Sequence, residues 1–178
     1  MQSIQHLLLQ DSQRLRILNL LAAIDLKDAY IAAGFVRNMV WDALHEKSTA
    51  TPLNDVDVVF FDANDKNNSL AEKALNSLKQ LDSSVPWQVK NQAHMHLINN
   101  DRPYLNTFDA MSFWPEKETA IAVSINAKKD IKILAPFGTE TLFKGLITHN
   151  PKRSRTVFLQ RVNSKGWLDT WPKLQINK

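Results

Sequence analysis

The stretch Asp55-Val56-Asp57-Val58-Val59-Phe60-Phe61 constrains this chain more than any other. It reads as a buried strand carrying two acids. Side chains of a strand alternate between two faces, so Asp55 and Asp57 share one face and Val56 and Val58 the other. Two carboxylates at adjacent positions on one face repel each other unless a cation sits between them. Mg²⁺ (or Mn²⁺) suits such a pair, because it takes hard oxygen ligands and leaves room for water and phosphate. The competing reading is a solvated strand end.

A second signal lies upstream, in Tyr30-Ile31-Ala32-Ala33-Gly34-Phe35-Val36-Arg37-Asn38. Ala29 to Ala33 is a short apolar run that suits a buried strand. Gly34 then permits a tight turn. Val36, Met39, Val40, Ala43 and Leu44 recur at helical spacing. A strand, a glycine turn and a helix start place free N–H groups where they can face phosphate. Arg37 in the first turn would add a fork of donors to the same anion. Trp41 shares a face with Arg37 and reads as a core or lid residue, with nucleobase stacking as the alternative.

Together the two stretches resemble the nucleotidyltransferase superfamily that shares its fold with polymerase beta. The nearest pattern is the head of CCA-adding enzymes and poly(A) polymerases. There a Gly-Gly-x-Val-Arg-Asp turn precedes an Asp-x-Asp strand, as Gly34-Phe35-Val36-Arg37-Asn38 precedes Asp55-Val56-Asp57 here. The chain is more closely similar to a family of small bacterial nucleotidyltransferase-like proteins. Val36 to Asp42 and Thr51 to Asp62 match its first two segments. Asn91-Gln92-Ala93, Trp114-Pro115-Glu116, Ala135-Pro136-Phe137-Gly138 and Trp171-Pro172-Lys173-Leu174 look like its later landmarks.

The resemblance implies an α+β fold in one domain over residues 1–178, with a small mixed sheet and helices packed mainly on one face. It implies transfer of a nucleotidyl group from a nucleoside triphosphate to an unknown acceptor hydroxyl. Asp55 and Asp57 would hold Mg²⁺ (or Mn²⁺), and Gly34, the Phe35 amide and Arg37 would cradle the phosphates. Superfamily members often carry a third carboxylate on the next strand, but Trp87 to His96 contains no acid. Glu116 is the favoured replacement, with Asp109, Glu118 and the amide of Asn91 as alternatives. Phe35 departs from the small residue expected after the glycine, and its ring would narrow the phosphate channel. The second reading is a catalytically weak or inactive nucleotide- or partner-binding module on the same fold.

Composition adds bounds. The chain has 178 residues, enough for one sizeable core. It has no cysteine, which removes thiolate catalysis, disulfides and cysteine-ligated zinc. A net charge of +4 is a mild bias towards anions and no nucleic-acid signature by itself. Arg153, Arg155, Arg161 and Lys165 form the densest basic cluster, which suits nucleotide phosphates or an RNA end. No separate RNA-binding domain fits the length, so RNA is the less favoured partner. No apolar run approaches the ~20 residues of a membrane span, and no signal peptide is visible, so the expected location is cytoplasmic.

The remaining pattern predicts helix over 3–24, possible as two pieces, and helices over 35–46, 69–81, 107–114 and 157–171. It predicts strands over 55–61 and 87–95 and a hairpin over 119–134. On the strand expected over 87–95, His94 and His96 would share a face, a weak zinc signal with no acid beside it.

Overall fold

The computed structural model describes residues 3–177. Asp11 divides the leading helical stretch into α1 (Ile4–Gln10) and α2 (Ser12–Ala22). Its extended backbone ends the first helix, and its carboxylate accepts the Arg14 N–H at 2.9 Å as the N-cap of the second. β1 (Tyr30–Ala32) leads directly into α3 (Gly34–Leu44). β2 (Val56–Phe60), α4 (Ser69–Leu81) and β3 (Trp87–Asn91) come next. A 3₁₀ turn, Gln92–His94, precedes α5 (Met95–Asn99) and α6 (Thr107–Met111). β4 (Ala122–Ile125) and β5 (Ile131–Leu134) make the expected hairpin. Then follow α7 (Glu140–Phe143), β6 (Leu146–Thr148), α8 (Arg155–Ser164), α9 (Trp167–Thr170) and β7 (Gln175–Asn177).

The main sheet is mixed, with strand order β3-β2-β1-β4-β5. β2 and β3 are parallel because α4 carries the chain back between them, and the other neighbours are antiparallel. This is the expected α+β fold. One sheet face, with Ile31, Val56, Val58, Val123 and Ile125, packs on Leu8, Leu18, Phe35, Val40 and Leu78 of α1 to α4. The other face turns Tyr30, Ala32, Val59 and Ala122 towards a smaller cluster around Met111. That thinner cover leaves room for a cleft. No helix among the described residues is long and apolar enough to cross a membrane.

Three expectations are revised. The strand over 87–95 stops at Asn91, whose Oδ1 accepts the N–H groups of Asp62 and Ala93 and turns the chain. His94 and His96 therefore leave the sheet, and their rings bond the Asp65 and Ala93 carbonyls instead of sharing a strand face. The closing helix over 157–171 breaks at Gly166, where φ is +60 and a left-handed residue ends α8. β6 pairs in parallel with β7 as Ile147 meets Ile176.

Arg14 ties the helical layer together. It is 2% exposed, its Nε donates to the Phe35 carbonyl at 2.7 Å, and its Nη1 pairs with the Asp11 carboxylate. Removing the guanidinium takes the side-chain donor from that carbonyl and leaves the carboxylate only the Arg14 backbone N–H. Arg14→Met, which keeps most of the volume, should cost about 2–3 kcal/mol. Thermal melts should show a Tm lowered by several degrees. A Tm equal to that of the parent would show that this contact carries no stability.

Candidate active site

β1 and β2 pair with Ala32 opposite Asp57. This register lays the turn Ala33-Gly34 beside the acid-bearing strand. Asp55, Asp57 and Val59, alternate residues of one segment, line a single cleft of about 310 Å³ together with Ala33, Gly34 and Arg37. Asp55 lies just before β2 and Asp57 within it, and both are half-buried. The Lys90 ammonium on β3 donates to Asp57 at 3.1 Å. Asp55 takes no side-chain partner among the described residues. Two adjacent carboxylates of this kind fit a hard divalent cation whose remaining positions go to water and phosphate. Among the described residues, no group of three or more His, Cys, Asp or Glu is placed to enclose a metal ion.

The turn itself differs from expectation. The positive φ falls on Ala33 (φ 56, ψ −120), not on Gly34, which is the first residue of α3. An alanine in that region carries strain of order 1–2 kcal/mol. At Gly34 a Cβ would meet Arg37 Nη2 and Asn38 Nδ2 at 3.5 Å, an ordinary contact. The glycine thus keeps the helix start bare instead of relieving a clash. No side chain caps α3, and the N–H groups of Gly34 and Phe35 find no backbone acceptor among the described residues. The Phe35 ring does not narrow the cleft. It is fully buried in the core beside the Arg14 guanidinium, because β1 sends the chain into α3 with that ring facing the helical layer.

Arg37 also lines the cleft, yet is only 8% exposed. Its guanidinium lies 4.9 Å from the Trp41 ring centre and 4.5 Å from that of Trp167. Nη1 donates to Thr119 Oγ1 at 2.7 Å and Nη2 to Asn38 Oδ1 at 3.1 Å, while Nε has no partner. Burial pushes its pKa down to about 10, and the nearby Glu116 and Asp55 carboxylates oppose that shift. It stays charged at neutral pH.

Glu116 is not brought to the acid pair. It is fully buried and forms an isolated bridge with His149, and its carboxylate receives Arg161 Nε at 2.5 Å. Arg161, with Lys165, is what reaches the cleft. Glu118 is also buried and accepts the Thr148 N–H at 2.7 Å. Asp109 pairs with Arg102 at 2.7 Å, and Asn91 is spent on the turn after β3. The basic cluster divides likewise, since Arg153 is held by Asp101 at 2.8 Å and Arg155 is exposed.

Two positioning contacts were not read from the sequence. Asp42, at the end of α3, accepts Thr51 N–H at 2.7 Å and Thr51 Oγ1 at 2.6 Å. It thereby fixes the segment that delivers Asp55. Asp42 also accepts Trp171 Nε1 at 2.8 Å. Trp167 and Trp171 meet Trp41 edge-on, with ring centres 5.6 and 5.1 Å apart, so the C-terminal segment floors the Arg37 pocket. The spacing of Asp42 and Thr51 in the two segments was the available signal.

A mixed sheet with a bare helix start and paired carboxylates on one cleft is the arrangement of a nucleotidyltransferase fold. The chain belongs to a nucleotidyltransferase family, whose sequence model matches residues 19–176. Comparison with curated proteins finds no match. Among solved structures, one determined by NMR and described as a CCA-adding enzyme head domain superposes with a TM-score of 0.83. It is 27% identical, and the match covers 98% of this chain and 95% of that one. A CCA-adding enzyme complexed with CTP gives 0.66 at 14% identity, covering 99% of this chain and 44% of that one. The Thermotoga maritima CCA-adding enzyme complexed with tRNA gives 0.65 at 15% identity, covering 99% and 43%. The last two share the fold, and this chain spans less than half their length.

The strain at Ala33 is directly testable. Ala33→Gly should raise stability by up to about 1 kcal/mol, because glycine adopts a positive φ without the Cβ cost while losing some chain entropy. Chemical denaturation would measure the midpoint. A lower midpoint would mean that the Ala33 methyl, packed in the smaller cluster, outweighs the backbone strain.

Proposed function

We propose that the chain is a metal-dependent nucleotidyltransferase, a single domain over residues 1–178. It moves a nucleotidyl group from a nucleoside triphosphate to an acceptor hydroxyl. The observation that carries this reading is the convergence of Asp55, Asp57, Gly34 and Arg37 on one cleft. Support also comes from the family and from similar folds described as complexed with CTP and with ATP.

Asp55 and Asp57 would hold Mg²⁺ (or Mn²⁺), which would supply positive charge to the phosphates and lower the pKa of the attacking hydroxyl. The N–H groups of Gly34 and Phe35 and the positive end of α3 receive phosphate oxygens. Arg37 adds a guanidinium that its tryptophan neighbours and Thr119 keep in one orientation. Arg161 and Lys165 extend the positive wall. The acceptor hydroxyl gives its proton to solvent as its oxygen bonds to the α-phosphorus, the bond from that phosphorus to the oxygen shared with the β-phosphate breaks, and pyrophosphate leaves with that oxygen. Glu116 acts through Arg161, which it orients by an ion pair buried on the Glu116 side.

A second reading is a nucleotide-binding module without turnover, favoured by the placement of Glu116 away from the acids and of Lys90 on Asp57.

Pyrophosphate release should be followed with all four triphosphates and a panel of acceptors. The parent should show a Mg²⁺-dependent rise in Tm with nucleotide, and Asp55→Asn with Asp57→Asn should abolish both that rise and pyrophosphate release. A thermal shift without release in the parent selects the binding module. A shift that survives in the double variant removes the metal site.

Arg37→Ala should weaken triphosphate binding more than nucleoside binding, since each lost charge-assisted bond contributes about 1.5–3 kcal/mol. Calorimetry with ATP and adenosine decides it, and equal losses would assign Arg37 to packing alone.

A further inference from the structure

The cleft-facing side of β3 carries a cation where the site has need of a ligand. In the parallel register Asp57 faces Gln88 and Val59 faces Lys90, so Lys90 stands diagonally across from Asp57 on the same sheet face. Both Lys90 and Gln92 line the cleft. The Lys90 ammonium lies 3.1 Å from Asp57 Oδ1, on a side chain still 46% exposed. Asp57 keeps its second oxygen free of that contact, while Asp55 has no such partner.

A pair of divalent cations about 3.5–4 Å apart needs several anionic ligands to offset their mutual repulsion. Here two carboxylates line the cleft and Glu116 is withdrawn to Arg161. A second divalent ion on Asp57 would sit within a few ångströms of this ammonium, and like charges at that distance repel in a half-buried site. We propose that Lys90 holds, as a built-in monovalent cation, the position that a second divalent ion would take, so that the site binds one metal ion. This rests on the metal-dependent reading of the cleft.

The ammonium then serves two ends. It holds the Asp57 carboxylate in place before the metal arrives. It also offers its remaining N–H donors to a phosphate oxygen once the triphosphate is bound. Gln88, level with Asp57, and Gln92 are neutral and offer no alternative charge on this edge.

The test counts Mn²⁺ bound per chain by electron paramagnetic resonance, with a non-hydrolysable triphosphate analogue held at one per chain. The parent should bind one ion. Lys90→Glu should bind two, because it replaces the repulsive charge with a third carboxylate. Lys90→Met should bind its single ion several-fold more tightly than the parent. Two ions in the parent, or one in Lys90→Glu with an unchanged melting curve, would overturn the proposal. Should Lys90→Glu fold poorly, an unchanged Mn²⁺ affinity in Lys90→Met would overturn it equally. Asp55→Asn with Asp57→Asn separates this failure from that of the broader reading. If that double variant binds the same single ion as the parent, the analogue carries the ion alone, and the metal site itself falls together with this proposal.

Discussion

The pairing of β1 on β2 is the contact on which the rest of the site depends. Its register sets Ala32 opposite Asp57 and so places the start of α3 beside both acids. A strand reverses its faces with every residue, so a slip of one position would bury the acids and expose Val56 and Val58. The apolar load of the helical layer, from Ile31 to Leu78, opposes that slip. The strained Ala33 is the cost of passing from β1 to α3 without a loop, which brings the helix start within reach of the carboxylates. Arg14, bonded to the Phe35 carbonyl, holds the first turn of α3 in that position from the far side.

The other end of α3 has a matching constraint. Asp42 gathers Thr51 and Trp171, so one carboxylate fixes both the approach to Asp55 and the C-terminal segment. The tryptophans carried there do more than fill space. Arg37 packs in the angle between the edge-on rings of Trp41 and Trp167, which leave its charge little freedom to leave the cleft. The cleft is thus assembled from both halves of the chain.

Much of this was legible in the sequence where local chemistry decides structure. The acid pair, the helix over Ser69–Leu81 and the hairpin of β4 and β5 follow from period and turn residues alone. The α+β class followed from the resemblance. What escaped depends on partners distant in sequence. Nothing near Glu116 reveals that Arg161 will claim it, and nothing near Phe35 shows that its ring turns into the core. The three-residue strands β6 and β7 carry too short a pattern to read, and exist because each offers the other a ladder. At Asn91 an amide that caps a turn ended a strand that the β-rich pattern alone would extend.

The balance of charge in the cleft explains why its carboxylates tolerate each other. Asp55 and Asp57 share the cavity with Arg37, Lys90, Arg161 and Lys165. Four cationic side chains stand against two carboxylates, and Glu116 offsets one of the four from behind. The surplus is positive, which leaves the cavity suited to an anion larger than either carboxylate. The proposed substrate, a triphosphate with one divalent ion, keeps a net negative charge and matches this surplus. The mild net charge of the whole chain hides this, because the imbalance is concentrated at one opening. Charge therefore bears on the site through its placement by the β1–β2 register and the C-terminal helices, and hardly at all through its sum.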